Sequence, residues 1–304
     1  ESAISILDRE VSVLAEEKVF ADERAIFEEK ADRLRKLSEY RRLSSFSQQS
    51  HYMAQDEDAI VSTVRALSLM GVWDHADWWN HLPAEDLSSG QHEDLKQDVY
   101  RSLTLLTSVY TKLIALRTLG PSGEVPGFLD MLPLAGSPNG KTEAEVTLRL
   151  CDLGLRFQYS ESLRFFRSVA AMRISFKDGW MLKAHRLKAP RNAADAHALG
   201  IMTVTRAASS KVEFDGYRGV QDPMMSAQET MAIASELGPQ QYWTHLVLAQ
   251  AQYLAAAKAS ENNDPEAWKL YDLCRQTYGR CISLEPDLAY AYTDLSTVCI
   301  LEHE

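Results

Sequence analysis

A spacing that recurs in the last third of the chain constrains its fold more than any other feature. Pro239 and Pro286 lie 47 residues apart, and small residues recur at similar intervals at Gly200, Ala249 and Ser296. Twelve, eight and five residues before each proline stand a small, a large and a small residue: Ala227, Met231 and Ala234, then Cys274, Tyr278 and Cys281. Small side chains let two helices approach closely, and proline ends a helix because it cannot continue the hydrogen-bond ladder. The repeat therefore predicts stacked hairpins of helices.

These small, large and proline positions resemble the tetratricopeptide repeat, a helical hairpin that stacks into an α-solenoid. The first helices match the pattern less strictly, through Leu199-Gly200, through Leu248-Ala249, and through Tyr292, Leu295, Ser296 and Cys299. The unit is longer than the roughly 34 residues of that repeat. We expect the extra residues in polar loops at 207–220 and 258–266. An unrelated helical bundle is the alternative.

Long stretches without Gly or Pro predict helices along the rest of the chain. Residues 2–40 form one long predicted helix, in which Ile4, Leu7, Val11 and Leu14 have the three–four spacing of a coiled coil or a docked helix. Because this helix is rich in charge, we expect it to project as a connector. Further helices are predicted at Ser44–Gln55, Glu57–Met70, Gln91–Leu119, 143–157, 160–173 and 176–187.

Glycine and proline mark the predicted boundaries. Gly71 is expected to end a helix, as Gly does at C-terminal caps, and residues 120–141 hold four of the ten prolines and five of the 14 glycines, which predicts a loop. We therefore predict an all-α fold in three parts. These are a long connector helix at 1–41, a helical-hairpin region at 42–190 that could consist of degenerate repeats, and tetratricopeptide-like repeats at 191–304.

The charge of the chain argues against a nucleic-acid partner. The formal net charge is −11, and an acidic surface repels a phosphate backbone. One run of basic residues stands out: Arg33, Arg35, Lys36, Arg41 and Arg42. Acidic residues alternate with them, which is typical of a solvated helix face.

Neither a membrane span nor an export signal is predicted within the sequence. No run approaches the ~18 apolar residues of a transmembrane helix, and no signal-peptide pattern opens the chain. Since the first residue is Glu1 rather than Met, we expect a fragment or a processed product. A cytoplasmic location is the expectation, and a membrane-tethered soluble region, held through a segment upstream of residue 1, is the alternative. Four cysteines without a C-x-x-C pair predict buried thiols.

Motifs for catalysis are mostly missing. The segment Gly136–Thr142 is similar to a phosphate-binding loop but has three rather than four residues between its glycines. Two polar groups could carry chemistry: Asp74, His75, Asp77 and His81 for a metal, and Glu85, Asp86, Glu93 and Asp94 for acid–base catalysis. Neither group has a diagnostic spacing. We expect no catalytic, cofactor or metal site, with a ligand- or metal-binding domain or an enzyme centred on residues 72–82 as the alternative.

The order of several blocks resembles the C-terminal region of bacterial, eukaryotic-type serine/threonine protein kinases that end in a tetratricopeptide tail. The matching blocks are Ala66-Leu67 through Gly71-Val72, Asp77-Trp78-Trp79, 103–106, 198–200, 242–249 and 281–292. The resemblance implies a regulatory or scaffold tail that binds proteins. The chain itself has no kinase phosphate loop, H-R-D or D-F-G signature, so it cannot transfer phosphate by that route.

The resemblance also implies a groove lined by the first helix of each hairpin. Positions that face such a groove are Trp243, Leu246, Gln250 and Tyr253 in one unit and Tyr290, Thr293, Thr297 and Ile300 in the next. Aromatic side chains there are candidate anchors for a protein or peptide partner. Packing against a neighbouring repeat is the competing interpretation of each. Self-association through the N-terminal helix is a further hypothesis.

Overall fold

A computed structural model of the chain describes residues 21–53, 55–118, 143–174, 190–208 and 223–301, and over these residues it is helical and without strands. The helices are α1 (Ala21–Tyr52), α2 (Asp56–Leu69), α3 (Ser89–Thr118), α4 (Glu143–Phe157), α5 (Glu161–Ile174), α6 (Ala193–Ala208), α7 (Pro223–Leu237), α8 (Tyr242–Glu261), α9 (Ala267–Leu284) and α10 (Ala289–Leu301), with a short 3-10 helix at Trp78–Asn80. The predicted all-α class is confirmed.

Several predicted features lie outside the described residues. They are residues 2–20 of the N-terminal helix, the loop 120–141 with the phosphate-loop-like Gly136–Thr142, the helix 176–187 and most of the loop 207–220.

Helix α1 corrects the prediction of two helices near residue 40. It continues to Tyr52, so the helix expected at Ser44–Gln55 is its extension. Because no Gly or Pro interrupts the sequence there, the backbone hydrogen bonds of the helix continue past residue 40. Buried residues begin at Ala31 and include Leu37 and Tyr40. From Ala31 onward the helix is therefore packed, and this part does not project as a connector.

The described chain forms two units, which divide between Leu106 and Thr107 within α3. The predicted boundaries at 41/42 and 190/191 stay predictions.

Small hydroxyl residues form part of the contact between helices in the first unit. Helix α1 packs along α2, and Ser47 hydrogen-bonds to Thr63. Nearer the start of α1, the Tyr40 hydroxyl lies 3.3 Å from Ser102 Oγ of α3. Side chains this small bring the helix backbones close, and their pairing satisfies polar groups that are cut off from water. Helix α2 ends as predicted, with Gly71 at φ 66°.

Helices of the second unit contact each other in chain order. The pairs α4–α5, α6–α7 and α8–α9 pack together, and α7–α8 and α9–α10 join successive pairs. Helix α6 also contacts α8, so the first helices of two successive pairs touch.

The predicted close approach within a pair is present at Gly200. A Cβ atom added to Gly200 would lie 2.0 Å from Met231 Sδ, so no larger residue fits without movement. In the next pair, Cys274 Sγ donates to the Ala249 carbonyl at 3.2 Å. Met231, Ala249 and Cys274 are each fully buried. Gly200, Ala249 and Cys274, three of the small residues singled out by the 47-residue spacing, therefore lie where two helices meet.

The extra length of the repeat was expected to lie in loops, but part of it lies in helix α8. Helix α8 continues to Glu261, and α9 begins at Ala267. Residues 254–259 are mainly Ala and Leu, which are strong helix formers, and they extend α8 by more than a turn. Asn263, the residue after the C-cap Asn262, has φ 56°. The Asp264 N–H then bonds to the Ala259 carbonyl at 2.9 Å, as in a Schellman cap.

Candidate interaction surface of helices α8 and α10

Two predicted groove residues, 47 positions apart, meet in the structure. The ring centroids of Trp243, in the first turn of α8, and Tyr290, in the first turn of α10, lie 6.0 Å apart with planes tilted by 48°. Both side chains are half-buried. Tyr242 stacks edge-on against Trp243 at 5.1 Å and is itself buried. The aromatic pair is therefore supported by the buried Tyr242 and remains partly accessible.

Polar groups flank this aromatic pair. Thr293 and Thr297 lie one and two turns farther along α10, and both are exposed. Each hydroxyl donates to a backbone carbonyl of its own helix, Thr293 to Ala289 at 3.1 Å and Thr297 to Thr293 at 3.3 Å. Their oxygens retain accepting capacity for a ligand. We refer to Trp243, Gln250, Tyr290, Thr293 and Thr297 as the aromatic surface; none of them carries a charge.

Two predicted groove residues have other surroundings. Leu246 is fully buried, so it belongs to the core and cannot contact a partner. Tyr253 lies toward the other end of α8, where its ring is 6.5 Å from that of Tyr271 on α9. It therefore packs within its own helix pair. Ile300, also placed in the groove, is 61% exposed.

A buried histidine supports the start of α8. His245 Nε2 donates to the Pro239 carbonyl at 3.1 Å. Burial lowers the pKa of His245, an effect larger than the opposing one of this hydrogen bond. The neutral imidazole therefore holds the turn between α7 and α8.

A second polar group, missed in the sequence, joins α5 to α6. Ser160 Oγ accepts the Leu163 N–H at 2.9 Å as the N-cap of α5, and it donates to Asp195 Oδ1 at 2.7 Å. Both Ser160 and Asp195 are buried. Asn192 caps α6 through the Asp195 N–H at 2.8 Å. A Ser or Asn just before a helix was the available signal, but the partner 35 residues away could not be read from it.

The metal-capable side chains of the 72–82 corner contact one another. His75 and His81 stack with centroids 3.9 Å apart, and His81 Nε2 lies 3.3 Å from Asp77 Oδ1. The Asn80 amide donates to Asp77 and lowers the pKa of that carboxyl. Within the described parts of the chain, no three His, Cys, Asp or Glu side chains are grouped to hold a metal ion. An enzyme or ligand site there stays a prediction.

The candidate carboxylates and the basic run neutralise one another in part. Arg33 Nε donates to Asp86 at 2.8 Å and Arg33 Nη1 lies 3.2 Å from Glu85. Lys36 pairs with Asp32 at 2.9 Å along the same helix. The Lys36–Asp32 pair lies along an exposed helix face, whereas Arg33 and Asp86, whose side chains are 18% and 20% exposed, join α1 to the segment before α3.

Comparisons with known proteins give no relative. No protein-family model, no curated protein and no solved structure matches the chain. None of the helices in the described ranges has the length and apolar character needed to cross a membrane.

Proposed function

We propose that this chain is a non-catalytic protein-binding region and that a protein or peptide partner docks on the aromatic surface of α8 and α10. The observation that carries the proposal is the Trp243–Tyr290 pair, half-exposed at 6.0 Å. Aromatic side chains held on a rigid base are the commonest energetic anchors of protein interfaces, because they bury a large area at a low cost in conformational entropy.

A tetratricopeptide-like solenoid is part of the same proposal. It is supported by the order in which helices touch, since α6 contacts both its pair mate α7 and the next first helix, α8. It is also supported by the Gly200–Met231 approach at a position that the repeat requires to be small. Stacked pairs of this kind present their first helices on one side.

The chemistry of the aromatic surface indicates the kind of partner. Because it has rings, hydroxyls and an amide but no charge, we propose a segment with a large apolar side chain for the Trp243–Tyr290 pair. Thr293 and Gln250 would bond to that segment's backbone. A partner that relies on charge would suit this surface poorly.

The test adds charge to this surface and to a matched exposed site. Thr293→Lys with Thr297→Lys would place two cations along the proposed path of the partner. Gln276→Lys with Ser283→Lys adds the same charge on exposed positions of α9. Proteins captured from extracts of the source cells would be quantified for wild type and both variants, after circular dichroism has shown equal folding.

We expect the α10 variant to reduce the amount of captured partner about tenfold or more, which corresponds to roughly 1.4 kcal/mol of binding free energy. The α9 variant should capture as much partner as wild type does. Equal capture by both folded variants would remove the assignment of the aromatic surface.

The wider setting that we propose is the regulatory tail of a bacterial serine/threonine protein kinase, on the sequence resemblance alone. The native coding region upstream of Glu1 tests it. A glycine-rich loop, H-R-D and D-F-G encoded there would support the tail, whereas a nearby start codon would contradict it.

A further inference from the structure

Arginine side chains gather where α4 turns into α5. Arg164, in the first turn of α5, donates from Nη1 to the Tyr159 hydroxyl at 2.7 Å. Its Cζ lies 5.4 Å from the centroid of the Tyr159 ring, and the Cζ of Arg191, just before α6, lies 5.8 Å from the same centroid. The tyrosine is 48% exposed. Two guanidinium groups therefore meet on one accessible aromatic ring.

Two more arginines continue this surface along the α4–α5 pair. Arg167, three positions after Arg164, donates from Nε to Asp152 Oδ1 of α4 at 3.0 Å. Arg156 is exposed, and because it follows Asp152 by four positions, the two lie on one face of α4. We call Arg156, Tyr159, Arg164, Arg167 and Arg191 the arginine surface.

The arginine surface differs in charge from the chain as a whole. Residues 149–191 hold ten Lys and Arg but three Asp and Glu, whereas the formal net charge of the chain is −11. Acidic side chains oppose the arginines only in part. Asp152 pairs with Arg167, and the Tyr159 hydroxyl donates to the buried Glu161. The surface is therefore a positive region on an acidic protein.

The chemistry of these side chains favours carboxylates as ligands. A guanidinium presents five N–H donors in a planar fork that matches a carboxylate, so one bond to Tyr159 or Asp152 does not exhaust its donors. Contact with the Tyr159 ring also holds Arg164 and Arg191 in place before a ligand arrives. Side chains that are already ordered lose less conformational entropy when they bind.

The charge of the remaining chain limits the size of the ligand. A nucleic acid or a membrane extends beyond the arginine surface, and the acidic remainder of the chain repels its phosphate groups. A short run of Asp or Glu can keep all of its charge against the arginines. An acidic peptide segment therefore fits this surface better than an extended polyanion does.

We propose that the arginine surface binds an acidic segment of a partner protein, whose carboxylates pair with Arg156, Arg164 and Arg191. The site is distinct from the aromatic surface of α8 and α10, which carries no charge. The inference therefore does not rest on the docking site proposed above.

The probe is a fluorescein-labelled peptide of eight glutamates, and a peptide of eight glutamines is its uncharged control. Arg156→Glu with Arg191→Glu reverses two charges of the arginine surface. Arg41→Glu with Arg42→Glu reverses two exposed arginines of α1 and changes the net charge equally. Fluorescence anisotropy measures binding to the whole chain, after circular dichroism has shown equal folding. Each titration is run at ionic strengths of about 0.01 M and about 0.15 M, where the Debye length is about 30 Å and about 8 Å.

We expect saturable binding of the glutamate peptide to wild type. Arg156→Glu with Arg191→Glu should weaken it about tenfold or more, and the α1 variant less than about threefold. The affinity should fall as the ionic strength rises, and the glutamine peptide should not bind. The Thr293→Lys, Thr297→Lys variant should bind the glutamate peptide at least as tightly as wild type does, so the two proposed surfaces can fail separately.

Three results would overturn the inference. One is no binding of the glutamate peptide up to about 1 mM at the lower ionic strength. A second is equal weakening by the two arginine pairs, because binding would then depend on net charge rather than on this surface. The third is tighter binding of an oligonucleotide of eight thymidines, or of vesicles with equal parts of phosphatidylcholine and phosphatidylserine, that Arg156→Glu with Arg191→Glu abolishes. The occupant would then be a nucleic acid or a membrane.

Discussion

Gly200 is the residue at which the predicted helix contact is tightest. An added Cβ would lie 2.0 Å from Met231 Sδ and 2.8 Å from its Cγ, and Met231 is fully buried. We therefore expect Gly200→Ala to lower the free energy of unfolding by about 1–3 kcal/mol, as in other overpacked cores. The measurement is denaturant unfolding followed by circular dichroism.

Gly279→Ala is the matched control, because nothing lies within 4 Å of its would-be Cβ in the interior of α9. It should gain about 0.5–1 kcal/mol from helix propensity. In a Met231→Ala background the cost of Gly200→Ala should shrink by about 1 kcal/mol. An undiminished cost there would contradict the close approach.

His245 gives the second prediction at this scale. Burial holds its pKa below the usual value of about 6.5. The folded state therefore prefers the neutral ring, so this contribution to stability is complete above about pH 6.5 and is lost as the pH falls toward the lowered pKa. We expect the loss of unfolding free energy between pH 7 and pH 5.5 to be smaller in His245→Gln than in wild type. Parallel pH profiles of the two chains would refute the role of His245.

At the scale of elements, one serine connects two helices. Ser160 caps α5 through the Leu163 N–H and donates to the buried Asp195 of α6. Ser160→Ala removes the cap and leaves Asp195 Oδ1 without this donor, so we expect a loss of about 1–3 kcal/mol in thermal or denaturant unfolding.

Ser168→Ala in the same helix is the control, since its hydroxyl bonds only to the Arg164 carbonyl within α5. It should change stability by less than about 0.5 kcal/mol. In an Asp195→Ala background, Ser160→Ala should cost only the lost cap. Equal effects of the two serine variants would show that the α5–α6 link contributes nothing.

Element ends were predictable where a local rule determines them. Helix α4 matches its predicted range, and Gly71 ends α2 because a left-handed residue is needed there. The continuous α1 and the long α8 were not predicted. Both depend on an absence of breakers, whereas the prediction ended the first helix at residue 40 and placed a polar loop at 258–266. Intrinsic helix propensity is enough to continue such a helix when no Gly or Pro ends it.

At the scale of the molecule, the repeat predicted contacts that no local rule could. Trp243 and Tyr290, which are 47 positions apart in the repeat, lie with their ring centroids 6.0 Å apart. The same arithmetic placed Leu246 in the groove, but the direction of a side chain between three neighbouring helices depends on their crossing angles, which spacing does not encode. The Ser160–Asp195 hydrogen bond could not be predicted for the same reason, because it joins residues 35 positions apart whose proximity depends on how α5 and α6 pack.

Unequal packing of α8 and α10 leads to a last prediction. Helix α8 contacts α6, α7 and α9 and is buried through most of its length, whereas the only described α10 residues that are buried are Ala291 and Val298. Each helix is stabilised by the neighbours that it contacts, so a helix with few buried residues opens at lower free energy. Hydrogen exchange measured by mass spectrometry should show amides of α10 exchanging about tenfold or more faster than those of α8. Equal protection of α8 and α10 in the free chain would mean that the helices open as one cooperative block, and the stacked description of the unit would fail.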